Sequence, residues 1–352
     1  MAFVSSSGRI TRHVISRLKA GLPLIGNIRM IYHTPNPNIE QLQKDFSGNR
    51  LGIKEITKNN SEDFLSRYDS IFLDCDGVLW RTDHVTPIPG IPAVMQKLRD
   101  LGKQILFVTN NSILSRDEWY QKYLKYDFDP GEMGDIFCVA YATAVYLRDV
   151  LKITGYVYNV GSVGMERELT LAGIKNIGTG EDPEKPSPYV KDLLNMTFRN
   201  DVQAVLIGFD EFFNYTKLYK AASYLTDPAC HFVSASSIGF GTGVMIGPNR
   251  LQPFTGPIVS AVKTVSKREP ILIGKPGYHM FECIKSTHPK INTSRCLMIG
   301  DSITADVGFA KTTGMDSAFV LSGSGTFDHI KQNPHLVPDF YMDSLVQLNY
   351  DS

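Results

Sequence analysis

Ile71-Phe72-Leu73-Asp74-Cys75-Asp76-Gly77-Val78 runs three apolar residues directly into two acids and a glycine. A short, wholly apolar run is what a strand covered on both faces of a parallel sheet requires. Carboxylates placed immediately after it stand at the carboxyl edge of the sheet, where open α/β folds bind their ligands. Residues two apart in a strand point the same way, but Gly77 lets the chain turn and aim Asp74 and Asp76 differently. Two such carboxylates repel, and a hard octahedral cation such as Mg²⁺ among oxygen ligands relieves the repulsion. An Asp-x-Asp taken alone is usually a surface turn; the strand before it and the glycine after it set this one apart.

The same alternation extends outward. Val94, Met95, Leu98 and Leu101 form one helical face stopped by Gly102, and Gln104 to Val108 reads as the next strand. Ser115 and Glu118 make a capping box that opens a helix through about Leu124. Phe137 to Ala140 begins a further strand, followed by a helical stretch through Leu151. A second series runs from Tyr156 to Val160, through a helix at Met165 to Ala172 ended by Gly173, a strand at Val202 to Ile207, a helix at Tyr215 to Leu225 and a short strand at Phe232-Val233. Residues 178–188 are rich in Gly, Pro and charge and are expected to form an exposed loop. Core-like runs return at Ile271-Leu272-Ile273, Cys296 to Ile299 and Ala318 to Leu321. Strands alternating with helices predict an α/β chain with a doubly wound, Rossmann-like parallel sheet. The expected division is an N-terminal extension over 1–60, a core over 61–152 and 266–352, and an inserted α/β cap over 153–265.

Three more segments place chemistry at strand ends. Thr109-Asn110-Asn111-Ser112 offers hydroxyls, amides and main-chain N–H groups to phosphate oxygens, or merely caps a helix. Lys275 closes Ile271-Leu272-Ile273-Gly274, and a lysine ending a buried strand is costly unless it faces an anion; the alternative is a lysine in an exposed loop. Asp301 ends the strand Cys296 to Ile299 and would complete a metal site with Asp74 and Asp76. Asp306, five residues on, would hold Lys275 or a metal-bound water from behind, or simply serve as an acid in a first helical turn.

Bulk composition excludes little but is consistent. The 352 residues are 43% hydrophobic, with 36 basic and 36 acidic side chains, so no broad electrostatic footprint for nucleic acid or an anionic membrane is expected. Five cysteines in no metal or redox spacing read as reduced thiols, and no apolar run is long enough to span a bilayer. The first forty residues hold Arg9, Arg12, Arg17, Lys19 and Arg29, with no acid before Glu40, and Ile10, Val14 and Leu18 at helical spacing. Such a segment resembles a mitochondrial import sequence; the alternative is a peripheral extension on a cytoplasmic enzyme.

Asp-x-Asp, Thr, Lys and Asp in that order, each at a strand end, resembles the motif order of the haloacid dehalogenase superfamily. Asp74-Cys75-Asp76-Gly77-Val78-Leu79-Trp80, Pro89-Gly90, Thr109 to Ser112, Gly208-Phe209-Asp210 and Gly274-Lys275-Pro276 are similar to the 4-nitrophenylphosphatase, phosphoglycolate phosphatase and pyridoxal phosphatase group. The resemblance covers residue 65 to the end. It implies that Asp74 is the nucleophile of an aspartyl-phosphate mechanism and Asp76 the general acid and base. It further implies that Thr109, Asn110, Asn111 and Lys275 meet the phosphate, and that Asp74, the Asp76 carbonyl and Asp301 bind Mg²⁺ with Asp306 behind them. The expected substrate is a small phosphorylated metabolite such as phosphoglycolate, with pyridoxal phosphate, a phosphoprotein or a binding role without catalysis as alternatives. Relatives often dimerise through the cap, for which Phe212, Phe213 and Tyr215 are candidates, although such apolar positions are more often simple core. Two stretches depart from the group. Ser234-Ala235-Ser236-Ser237 lacks the usual acid and precedes a glycine-rich stretch over 239–248, and Ser302-Ile303-Thr304-Ala305 replaces the usual Arg or Asn and Thr.

Overall fold

The computed structural model describes residues 52–236, 244–247 and 249–350. The basic N-terminal segment, Ser237 and most of the glycine-rich stretch over 239–248 lie outside the described residues. In chain order the first strands are β1 (Lys54–Glu55), β2 (Ser70–Leu73), β3 (Gln104–Thr109) and β4 (Ile136–Cys138). Then come β5 (Tyr156–Val160), β6 (Lys175–Ile177), β7 (Val202–Ile207) and β8 (His231–Ser234). A hairpin of β9 (Val244–Gly247) and β10 (Arg250–Gln252) follows, then β11 (Ile271–Leu272), β12 (Cys296–Gly300), β13 (Asp316–Val320) and β14 (Phe340–Met342).

Two parallel sheets result. The larger has the order β1-β14-β13-β12-β2-β3-β4, and the smaller β11-β8-β7-β5-β6. Every residue of β2 and of β12 is buried, as expected for strands covered by helices on both faces. From β2 the chain moves outward to β3 and β4 on one side and later to β12, β13 and β14 on the other. The boundary between β2 and β12 is therefore the switch point of the sheet, and crevices form at the carboxyl ends of strands flanking such a point.

Helix Ile91–Asp100 buries Ile91, Val94, Met95 and Leu98 against the large sheet, whereas Leu101 is its C-cap and 39% exposed. As the residue that ends the helix, it has left the packed face. The capping box at Ser115 and Glu118 forms as expected and starts helix Arg116–Lys125. Tyr158, Val160, Val205, Ile207, Phe232, Val259 and Val262 make a separate core for the smaller sheet. Phe213 packs against it, while Phe212 and Tyr215 are exposed.

Two expectations are corrected. The large sheet takes an edge strand from Lys54–Glu55, inside the stretch read as the N-terminal extension, because parallel pairing with β14 suits even two polar residues. Ile271–Leu272, read as the return to the core, pairs with β8 in the smaller sheet. Its successors stay with the smaller sheet, the Ile273 N–H donating to Ser234 O at 3.0 Å and the Gly274 N–H to Ala235 O at 3.1 Å, while the Ile273 side chain is fully buried.

Candidate functional site

β12, β2 and β3 lie side by side, and their carboxyl ends bring Asp301, Asp74 and Thr109 together. The Asp74 N–H donates to Ile299 O at 2.9 Å, extending the β2–β12 ladder to the residue that carries the carboxylate. Gly77 then turns with φ 83°, and a Cβ there would lie 2.6 Å from Asp301 Oδ2 and 2.8 Å from Gly323 Cα. Only glycine admits both the backbone conformation and the approach of Asp301.

Lys275 is 1% exposed and reaches this cluster from the far side. Its Nζ lies 2.8 Å from Asp74 Oδ1 and 2.7 Å from Asp306 Oδ1, and donates to Val108 O at 2.6 Å. Burial works against its charge, but Asp306 and Asp74 outweigh burial and raise its pKa, so it stays an ammonium. Asp306 is held in turn by the Ser302 N–H at 2.9 Å. Asp301 Oδ2 accepts from the N–H and hydroxyl of Ser324 at 2.6 and 2.9 Å.

Asp74, Asp301 and Asp306 each have a carboxylate oxygen within 4.8 Å of the others. Burial, then the neighbouring Asp306 and Asp301 charges, push the Asp74 carboxyl well up against the pull of Lys275. Burial, followed by Asp306, raises Asp301 to about 6. Three carboxylates facing one ammonium leave the site short of positive charge. Hard oxygen donors with that deficit fit a small divalent cation such as Mg²⁺, which the family implies. Asp306 has both oxygens engaged, by Lys275 and Ser302, so Asp74 and Asp301 are the better-placed carboxylate ligands.

The Asp76 side chain points elsewhere. Its Oδ2 accepts from Asn111 Nδ2 at 3.1 Å, and its Oδ1 lies 2.9 Å from His84 Nδ1. Burial would raise the Asp76 carboxyl, but contact with His84, then with Asn111, holds it below the ordinary carboxylate value.

Two residues expected to meet phosphate are occupied otherwise. The Asn110 amide forms a reciprocal clasp with the main chain of Lys275, donating to its O at 2.7 Å and accepting from its N–H at 2.8 Å. Any phosphate contact from Asn110 must therefore come from its main chain. Asn111 spends its amide on Asp76 and on the N–H of Ile113. Thr109 is buried, with its Oγ1 accepting from the Asn111 N–H at 3.1 Å. Ser234, Ala235 and Ser236 are buried beside this site, where Ala235 O accepts from the Gly274 N–H at 3.1 Å.

Sequence reasoning missed His84 and Ser324. Ser324 had a signal, since Ser322-Gly323-Ser324-Gly325 follows the strand at 316–320 as the other site loops follow theirs. His84 had none beyond being a histidine near the acids.

A family model of haloacid dehalogenase-like hydrolases matches residues 71–175, and a HAD-hydrolase-like model matches residues 272–348. Glycerol-3-phosphate phosphatase from Homo sapiens is 33% identical over 312 residues, covering 83% of this chain and 94% of that protein. Chronophin from Homo sapiens is 31% identical over 295 residues, covering 81% and 94%. Among solved structures, p-nitrophenyl phosphatase from Archaeoglobus fulgidus superposes with a TM-score of 0.65 at 24% identity, covering 81% of this chain and 99% of that one. No helix among the described residues is long and apolar enough to cross a membrane.

Proposed function

The chain belongs to the haloacid dehalogenase-like hydrolases and is a phosphoric monoester hydrolase; from that premise we propose that it hydrolyses a small phosphorylated metabolite through a phosphorylated Asp74. The observation that carries the reading is Lys275, buried and shared between Asp74 and Asp306 within reach of Asp301. A salt bridge that leaves two negative charges over is poor as a structural device and well suited to a substrate site.

In the first step an Asp74 oxygen attacks phosphorus while the bond to the leaving oxygen breaks and takes its electron pair. Asp76, whose carboxyl is low in the free site but is raised toward protonation by the negative charge of a bound phosphate ester, gives that oxygen a proton. The resulting Asp76 carboxylate then takes a proton from the water that attacks the phosphorus of the aspartyl-phosphate, which frees phosphate and restores both acids. Lys275 offsets charge on Asp74 and on the transferring phosphoryl group throughout, and the clasp from Asn110 fixes its backbone. Asp74, Asp301 and the Asp76 main-chain carbonyl would hold Mg²⁺, which when bound supplies charge neutralisation and polarisation of a phosphoryl oxygen.

The relatives whose names carry a substrate are glycerol-3-phosphate phosphatases. The substrate we propose is accordingly a short two- or three-carbon phosphate monoester, glycerol 3-phosphate or phosphoglycolate. The test is hydrolysis of these esters and of 4-nitrophenyl phosphate with Mg²⁺, by wild type and Asp74→Asn. Wild type should release phosphate and give a hydroxylamine-sensitive phosphoryl label on the Asp74 peptide. A labelled or fully active Asp74→Asn protein would falsify the mechanism.

A further inference from the structure

We propose that His84 is the positioning residue for Asp76, its ring fixing the plane of the carboxylate that protonates the leaving group. The inference rests on the acid–base role given above to Asp76.

Asp76 has a neighbour at each oxygen: Asn111 Nδ2 donates to Oδ2, and His84 Nδ1 lies 2.9 Å from Oδ1 as an ion-pair contact without hydrogen-bond geometry. Each carboxylate oxygen keeps a second lone pair, so the group is oriented by two fixed partners and still has a place to carry a shuttled proton. Asn111 comes from the loop after β3. His84 comes from the opposite wall, a turn over residues 81–86, and this turn is built to present it.

His84 has φ 60°, a left-handed conformation uncommon for a residue with a side chain, which persists where surroundings impose it. Its N–H donates to Arg81 O at 3.0 Å, and the Arg81 N–H donates to Thr86 O at 2.8 Å. Asp83 closes the turn, accepting from the N–H groups of Val85 and Thr86 at 2.9 and 2.8 Å and from the Thr86 hydroxyl at 2.6 Å. Lys122 donates to His84 O at 2.8 Å and sits 4.0 Å or less from the centre of the Trp80 ring, at 3.9 Å. Trp80 is fully buried and stacked on Tyr123 and Phe128, so Lys122 stands on an immobile floor.

The ring is partly covered, with 31% of the side chain exposed. It meets Phe254 edge-on, with centroids 5.5 Å apart, and both ring nitrogens are buried without a hydrogen bond among the described residues. Among the described residues, the ion-pair contact of its ring is with the Asp76 carboxylate.

Leaving-group chemistry reads this role directly. An alkoxide needs its proton as the P–O bond breaks, whereas 4-nitrophenolate departs without one. kcat/KM covers steps through transfer to Asp74, so the later hydrolysis does not blur the comparison. His84→Leu removes the nitrogen. His84→Asn keeps an amide donor where Nδ1 stands and tolerates the left-handed backbone, and His84→Gln moves the amide to the Nε2 position. Because general acid–base catalysis contributes about 10²–10⁴-fold, His84→Leu should lower kcat/KM for glycerol 3-phosphate by about tenfold or more, and for 4-nitrophenyl phosphate by less than about threefold. His84→Asn should recover most of the loss, and His84→Gln should behave like His84→Leu. The inference is overturned if His84→Leu lowers both substrates equally, or if the Asn variant is as impaired as the Leu variant. It also falls alone if His84→Leu is harmless while Asp76→Asn abolishes turnover of glycerol 3-phosphate. An Asp76→Asn protein with wild-type kcat/KM for that ester removes the acid–base role itself, and the His84 inference with it.

Discussion

Two buried lysines divide the molecule. Lys217, under the smaller sheet, pairs with Asp210 at 2.5 Å, and both side chains are almost fully covered. The other Asp210 oxygen accepts from the Phe212 N–H at 2.8 Å, so one charge meets one charge and each oxygen has a partner. Lys275, at the edge of the large sheet, meets two carboxylates with a third nearby. Burial raises the Asp210 carboxyl despite Lys217, and it raises Asp74 despite Lys275, but only Asp74 has like-charged neighbours adding to the effect. A balanced buried pair completes itself. An unbalanced one is waiting for something that binds.

The comparison breaks or sharpens through substitutions on each side. Lys275→Met should abolish most activity, by about 10³-fold in kcat/KM as for loss of a preorganised electrostatic partner, measured by phosphate release under Mg²⁺. The loss should persist at saturating substrate, since Lys275 acts on the charge that develops during transfer. Asp210→Ala should instead cost stability, about 3–5 kcal/mol for leaving a buried ammonium uncompensated, read from the urea midpoint. The two sites should respond to charge removal with opposite signs: metal-free Asp301→Asn should melt above metal-free wild type, while Asp210→Asn melts below it.

A pH titration sharpens the same contrast. The Asp301 carboxyl is raised in the fold to about 6. The folded protein therefore holds a proton that the unfolded chain releases near the ordinary value of about 3.9. That contribution is full below the unfolded value and is lost as pH rises through about 6, so metal-free wild type should lose melting temperature between pH 5 and pH 7. Saturating Mg²⁺ or Asp301→Asn should flatten the slope. A further loss is expected at Lys220, a buried ammonium whose partners Asp182 and Glu184 lie 2.8 and 2.7 Å away. Lys220→Met should cost about 3 kcal/mol, read from the urea midpoint, because it leaves the Asp182 carboxylate, its side chain 4% exposed, uncompensated.

These sites were legible to different degrees. Asp74, Thr109 and Asp301 each follow an apolar strand, and parallel pairing of those strands in register makes their meeting a matter of sheet geometry. Lys275 was legible as a lysine needing an anion, although its strand belongs to the other sheet. The Asn110 and Asn111 side chains were misjudged because an amide donates equally well to a phosphate, a main-chain carbonyl or a carboxylate, and only the fold chooses. His84 reaches Asp76 through a left-handed turn whose conformation depends on Lys122 and an aromatic floor distant in sequence. No local pattern encodes that.

Leu272 closes a strand of the small sheet, and Lys275 is in the active site three residues later. This has a practical meaning for anyone who redesigns the chain. Excising the insertion with a joint at residue 266 would leave Ile271–Leu272 as an apolar segment with no strand to pair with, immediately upstream of the residue that matters most. Ile273 and Gly274 would lose partners as well, since their N–H groups donate to Ser234 O and Ala235 O. The Asn110 clasp, made between residues 165 positions apart, then becomes the fastening that holds the shortened chain's two halves in working order.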